Sequence, residues 1–476
     1  MSRISPSTKC IRNIQGISWD QSADTYVRTD SLANLTLGVS PGDVLLPVHR
    51  MMKRCIVNDA GVVQYYLDPA DSTKKTDGTA ANLDGTDGQV MVEIPAFYQL
   101  HSLTGNVHKW QISLKETSGF TLHPAFTKDG VNVQYRYIGA YEGTLYDTSA
   151  SRYTNGIYQT AVSCVFANAD KSLTIASRTG VFSKLSVGDK IVISGTTNNN
   201  GTKTVASLVS ATKITVDEAT TDETAAATII QTEKNWTVTT GDVLASINGK
   251  APINYGTRAN FRAAAANRGT GWRQQDFYLV SAIQLLYLIE YGSFNSQSVV
   301  GNGLTDWSTA WPGYNNYNPI NNTGLSNAKG NGTFNASNGD GVVGSYMTYR
   351  GIENFYGHLW KWVDGMNINN NRAYVSNTRS DFADDTTINY TDTGVNMINA
   401  DGYQATLLNI STGFLPASVG ASSSTKITDY YWQSTGWRVG ILGGCANDGL
   451  IAGACYWYLA NASAYLASSV GGRLCR

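Results

Sequence analysis

With 476 residues, a net charge of −1 and only 15% charged side chains, the chain is long enough for two or three domains and has no basic field to neutralise a phosphate backbone or an anionic bilayer. Nucleic acid and membrane are excluded as expected partners on that ground. The 47 glycines and 27 tyrosines describe loop-rich surfaces where rigid amphipathic rings sit beside adaptable hydrogen-bonding groups, a mixture suited to recognition.

The opening stretch MSRISPSTKCIRNIQG has no apolar h-region, so no secretory signal peptide is expected. Further along, TDGTAANLDGTDGQV sets Asp77, Asp84 and Asp87 among glycines but lacks the ligand spacing and closing glutamate of a calcium loop. A solvated turn is the expectation. Residues 158–235 differ from their flanks: from 160 to 233 there is no Trp, Tyr or Pro, and short β-branched runs (KSLTIAS, DKIVISG, KTVASLV, TKITVDE) alternate with turn signals. This reads as a small all-β module inserted into one larger body made of residues 1–157 and 236–476.

Two helices are expected after the insert. The first is RANFRAAAANR, with Thr257 as N-cap and Gly269 at its stop; the second is DFYLVSAIQLLYLIEY, opened by Asp276 and closed by Gly292. The second is apolar nearly all round and belongs in a core. From 312 to 345 the Gly/Asn-rich sequence has no periodicity and reads as a long loop. Two helices, small sheets and much loop amount to an α+β fold class.

Recognisable catalytic chemistry is missing from the sequence. No G-x-S-x-G, P-loop or H-E-x-x-H motif occurs, and the five histidines are dispersed. His358, in YGHLWKW, reads as structural. Cys10, Cys55, Cys164, Cys445, Cys455 and Cys475 show no C-x-x-C and no zinc-like spacing to histidine, so free thiols are expected, with no cofactor, no metal and no catalytic residue.

Three segments in order carry a resemblance. FYLVSAIQLLYLIEYGSF stands where a helix stands in the formylglycine-generating-enzyme type of C-type lectin fold. YRGIENFYGHLWKWVDG resembles that family's Asn-x-x-Gly-x-x-x-x-Trp signature through Asn354, Gly357 and Trp362, and GWRVGILGG with GGRL resembles its closing elements through Arg438, Gly443, Gly444, Gly471 and Arg473. The N-terminal stretches GVVQYYLDPADSTKKTDGTAANLDGTDGQVMVEIPAFYQL and GFTLHPAFTKDGVNVQYRYIGAYEG resemble phage tail-fibre and prophage proteins that carry this module. Enzymes of the family use a closely spaced cysteine pair before the final Gly-x-Arg. Here Cys445 and Cys455 have nine residues between them and a different neighbourhood, which speaks against an oxidase of that type.

The tail from about 437 to 476 resembles the variable region of proteins diversified by retroelements, in which an error-prone reverse transcriptase rewrites template adenines and the encoded positions line a ligand-binding face. The frame of that pattern is kept by Gly443, Gly444, Gly449, Ala452, Gly453, Trp457, Leu459, Ala462, Ser463, Val470, Gly471 and Arg473. The resemblance implies ligand contacts from Cys445, Ala446, Asn447, Asp448, Leu450, Ile451, Tyr456, Tyr458, Ala460, Asn461, Ala464, Tyr465, Leu466, Ala467 and Ser469. In GACYWYL, period-two alternation puts Cys455, Trp457 and Leu459 on one face and the tyrosines on the other, expected to face out.

Codons ending in a pyrimidine cannot specify Lys, Glu, Gln, Met or Trp, and between Gly443 and Gly472 those residues are absent apart from the frame position Trp457. The resemblance therefore implies a receptor-binding subunit of a virion tail fibre, made in the cytoplasm of a bacterial host. Its implied partners are a bacterial cell-surface ligand (glycan or protein), other phage tail proteins and, as in many phage fibres, two further copies in a homotrimer. A structural tail protein without a ligand is the alternative.

Overall fold

The structure, a computed structural model, describes residues 14–156, 159–175, 182, 185–232, 241–306, 321–336 and 345–476. Its organising element is the Phe277–Tyr291 helix, whose side chains are buried on every face apart from Tyr278. Its ends are where the sequence placed them. Asp276 accepts the Leu279 N–H at 2.9 Å, and Gly292 closes the helix in the left-handed region at φ 63°. The last carbonyls, which a buried helix end would otherwise leave unsatisfied, receive the Arg28 guanidinium: Nη1 to Ile289 O at 3.0 Å and Nη2 to Glu290 O at 2.6 Å. The Arg258–Asn267 helix starts at Thr257 with a capping box to Asn260, as its sequence implied in naming that N-cap.

Around the buried helix, sheets dominate. Strand takes 41% of the chain and helix 11%, with four helices among the described residues and two of those only four residues long. The α+β expectation is overturned on this count; the protein is mostly β. The physical cause is coverage by distant segments. Strands such as Gln89–Pro95 and Trp360–Asn369 are buried on both faces, so they show no alternation, and short segments for which no element was expected, such as Thr391–Asn396 and Gly402–Leu407, pair into strands as well. Much of the apparent loop at 312–345 lies outside the described residues.

Three large sheets and three small ones make the described body, and a closed barrel makes the insert. A five-stranded antiparallel sheet is built around Ile14–Asp20 and Val107–Ser113. A six-stranded sheet runs, in spatial order, through Arg273–Gln274, Leu474–Cys475, Tyr135–Gly139, Gln89–Pro95, Lys53–Val57 and Val63–Tyr66, so the chain's last strand is seated between segments far upstream. The third is a nine-stranded sheet from Trp360 to Gly471, which carries the tail. Six strands between Gln159 and Thr232 close on themselves as a barrel around Phe166, Leu173, Ile191, Ile214 and Ile230. Its first and last strands are antiparallel neighbours, with Gln159 opposite Gln231, so the barrel enters and leaves the body at one point.

The turn holding Asp77, Asp84 and Asp87 spends its carboxylates locally, on Thr79 N–H, Thr86 N–H and the Tyr65 hydroxyl. Burial lowers four histidines, His49, His101 and His108 to about 4 and His123 to about 3. All four are therefore neutral in the fold, and His101 Nε2 and His108 Nδ1 meet at 2.9 Å.

Two outcomes are expected. Because these folded-state values lie below the unfolded value of 6.5, the stability they contribute is present above pH 6.5 and lost as pH falls toward 4; a fully buried histidine shifted that far accounts for about 3 kcal/mol. Urea midpoints should fall steadily between pH 6.5 and 4.5, and midpoints independent of pH in that window would contradict it. Excising residues 159–231 and joining the adjacent ends with a short Gly/Ser linker should leave the thermal midpoint of the body within a few degrees, read by circular dichroism; a body that no longer folds would show that the barrel is an integral part of it.

Candidate functional site

The tail is held at both ends and along its backbone by the signature turn upstream of it. Asn354 and His358 adopt left-handed backbone at φ 49° and 63°, which folds 354–358 into a compact turn. Gly357 N–H donates to Gly443 O at 3.0 Å, and Ala446 N–H to His358 O at 3.0 Å. Trp360 N–H donates to Ser469 O at 2.9 Å, and Trp360–Lys361 pairs in parallel with Val470–Gly471. The Trp362 indole, fully buried, donates to Gly256 O at 2.9 Å.

Beneath that turn sits a buried polar cluster. Glu142 contacts His358 Nδ1, stands 3.0 Å from Lys361 Nζ, and accepts from Asn354 Nδ2 at 3.3 Å. Burial opposes ionisation of Glu142, but His358 and Lys361 hold its carboxyl down at about 2. His358 Nε2 accepts the Asn321 N–H at 2.8 Å, so the ring proton sits on Nδ1 toward Glu142. Both ring nitrogens are thereby committed within the protein. Such a histidine fixes the turn.

The described cysteines, Cys55, Cys164, Cys445, Cys455 and Cys475, are all buried and unbridged. Burial, reinforced by Asp429, pushes the Cys455 thiol well up, the reverse of an activated thiolate. Among the described residues no group of three or more His, Cys, Asp or Glu is placed to hold a metal ion.

Most frame residues of the tail are set by packing, while Ala462 is exposed and Gly449 and Ser463 are half-buried. Trp457 and Leu459 enter the main core, and Ala452 and Val470 a second core with Trp360, Trp362 and Ile441. A Cβ on Gly453 would lie 2.1 Å from Asp429 Oδ1, and one on Gly444 would lie 2.8 Å from Ala452 Cβ. Asp429 itself is fully buried and accepts the Cys455 N–H at 2.6 Å; burial raises its carboxyl to about 8.

The residues between frame positions fall into three groups. Asn447, Leu450, Ala464, Tyr465 and Leu466 are exposed, with Leu450 at 62%. Asp448, Ile451, Tyr458, Ala460, Ala467 and Ser469 are half-buried, Ile451 against the second core and so with a packing role after all. Cys445, Ala446, Tyr456 and Asn461 are buried, which corrects their expected place on the outer surface. For Tyr456 the reason is clear. Alternation does put it opposite Cys455 and Trp457, but that face is covered: its ring centroid lies 4.4 Å from that of Trp360, and its hydroxyl accepts the Trp432 indole N–H at 2.9 Å.

Backbone and side chain are decoupled in the exposed loops. Gln297 Nε2 donates to Gly449 O at 2.8 Å and Ala452 O at 2.7 Å, and Gly449 N–H donates to Thr305 O at 2.7 Å, while the Leu450 side chain stands free. In the second loop Tyr255 N–H donates to Ala467 O at 3.1 Å and Tyr465 leans edge-on toward Trp362. The loops are thus anchored from outside at Gly449, Ala452 and Ala467, with further bonds inside them, Asp448 N–H to Cys445 O at 3.2 Å and Tyr465 N–H to Ala462 O at 3.0 Å.

Beside the loops runs a row of rings that the sequence reading missed. Tyr403 pairs with Tyr430 across adjacent strands, and Trp432 with Tyr458. All four are half-buried and lie on the sheet face opposite Tyr431 and Trp457, which are fully buried. The signal was present in DYYWQ, where Tyr430 and Trp432 alternate with buried Tyr431.

No protein-family model matches the chain, and no curated protein matches it. The division into frame and free positions is testable directly. Gly453→Ala should cost about 1–3 kcal/mol through its clash with Asp429, whereas Leu450→Ser should change stability by less than about 0.5 kcal/mol. Chemical denaturation of the two variants decides it; equal effects would remove the distinction.

Proposed function

We propose that the chain is a receptor-binding protein of a phage or prophage tail fibre, whose C-terminal lectin-like region displays a retroelement-diversified surface to a bacterial cell-surface ligand. The observation that carries this reading is the separation of roles in the tail. Residues matching the family's frame are mostly buried or sterically constrained, while Asn447, Leu450, Ala464, Tyr465 and Leu466 between them are exposed, on loops tied to the body through Gly449, Ala452 and Ala467. A fold that tolerates substitution at those positions is the physical requirement for a sampled binding surface. Exposed leucines and a tyrosine also give rigid contact area at low entropic cost.

In this reading the protein works at the tip of the virion tail and meets other tail proteins through the body. A homotrimer would add avidity to a weak single site. The test is adsorption to the host strain by a triple variant, Leu450→Ser, Tyr465→Ser and Leu466→Ser. Adsorption should fall roughly tenfold or more with the thermal midpoint unchanged. Unaltered adsorption would favour a structural tail protein without a ligand.

A further inference from the structure

The aromatic row beside the tail is mostly contributed from outside it, by residues that belong to neither the frame nor the free positions. Tyr403 and Tyr430 meet edge to face with centroids 5.2 Å apart, Tyr430 and Trp432 are 4.8 Å apart, and Trp432 and Tyr458 are 5.8 Å apart at an interplanar angle of 32°. The Trp432 indole is locked by its bond to the buried Tyr456 hydroxyl. Rings already fixed by strand pairing lose little freedom when a ligand covers them.

Charge narrows what that ligand is. The charges that reach Tyr430 and Tyr458 are those of Asp401 and, for Tyr458, Asp448, both acidic. Among the described residues no lysine or arginine stands over these rings. An acidic rim without a cation disfavours phosphate, sulfate and uronate groups. Asp401 is exposed and uses Oδ1 to accept the Gln433 N–H at 2.9 Å, which leaves Oδ2 as a charged acceptor beside the rings. Flat apolar faces next to such an acceptor suit a molecule with C–H groups on one face and hydroxyls at its edge.

We infer that Tyr403, Tyr430, Trp432 and Tyr458 form a platform on which a neutral pyranose of a bacterial surface polysaccharide stacks without a metal ion. The exposed tail loops would then read its neighbouring units. This rests on the receptor-binding reading and commits it to one ligand class.

The test applies the full chain, in EDTA, to an array of bacterial O-antigens and capsular polysaccharides. Binding to at least one uncharged polysaccharide is expected. It should weaken roughly tenfold or more in Trp432→Ala and in Tyr403→Ala, and less in Trp432→Phe, which keeps a ring. Tyr403, at the outer end of the row, serves where Trp432→Ala fails to fold. A blank array overturns the inference, as does binding confined to acidic or phosphocholine-bearing polysaccharides. Adsorption to the host strain that survives periodate but not protease also overturns the sugar platform while leaving receptor binding intact; no adsorption to the host strain removes both.

Discussion

The guanidinium of Arg473 is the fastening on which the tail depends. It is fully buried, and its donors go to three backbone carbonyls: Gly139 at 2.8 Å, Glu353 at 2.5 Å and Asn354 at 3.0 Å. One side chain therefore joins the end of the tail to the six-stranded sheet and to the signature turn. A planar fork with several donors can do this where an ammonium cannot. Burial lowers its pKa to about 10, with Glu142 and Glu353 opposing, so it remains charged at neutral pH.

From that fastening the rest of the tail follows. The 354–362 turn, fixed by Glu142, His358 and Lys361 below it, supplies carbonyls and N–H groups to residues 443, 446 and 469. The strand Trp457–Asn461 is gripped on one face by the main core and on the other by Trp360 and Tyr456. Between these fixed segments the loops are tied to the body at Gly449, Ala452 and Ala467 and have their tips in solvent. A structure so arranged can change its tip residues without changing its path, which is the physical content of the proposed receptor-binding role.

Legibility varied with the range of the forces involved. Helix boundaries at Thr257, Asp276 and Gly292 were readable because capping is decided within a few residues. Four of the six barrel strands were readable from β-branched runs and turn signals, which are local, although half of the pairings that close the barrel join strands that are not sequence neighbours. The fold class was misread because Gln89–Pro95 and Trp360–Asn369 are covered on both sides by distant segments and lose the alternation that marks a strand. Tyr456 was misplaced for the same reason: its side of the strand was inferred correctly, but what covers that side comes from Trp360 and Trp432.

The sequence by itself determined the helix ends and the position of the small β module, which rest on local backbone preferences and on pattern, whereas the frame of the tail rests on a resemblance. Only the tertiary structure decided which tail residues reach solvent, that Tyr403, Tyr430 and Trp432 join Tyr458 in one row, and that Arg473 and the 354–362 turn hold the whole in place. Those outcomes depend on pairings between segments tens to hundreds of residues apart. Periodicity tells which way a side chain points, but exposure is set by what the distant chain brings to meet it.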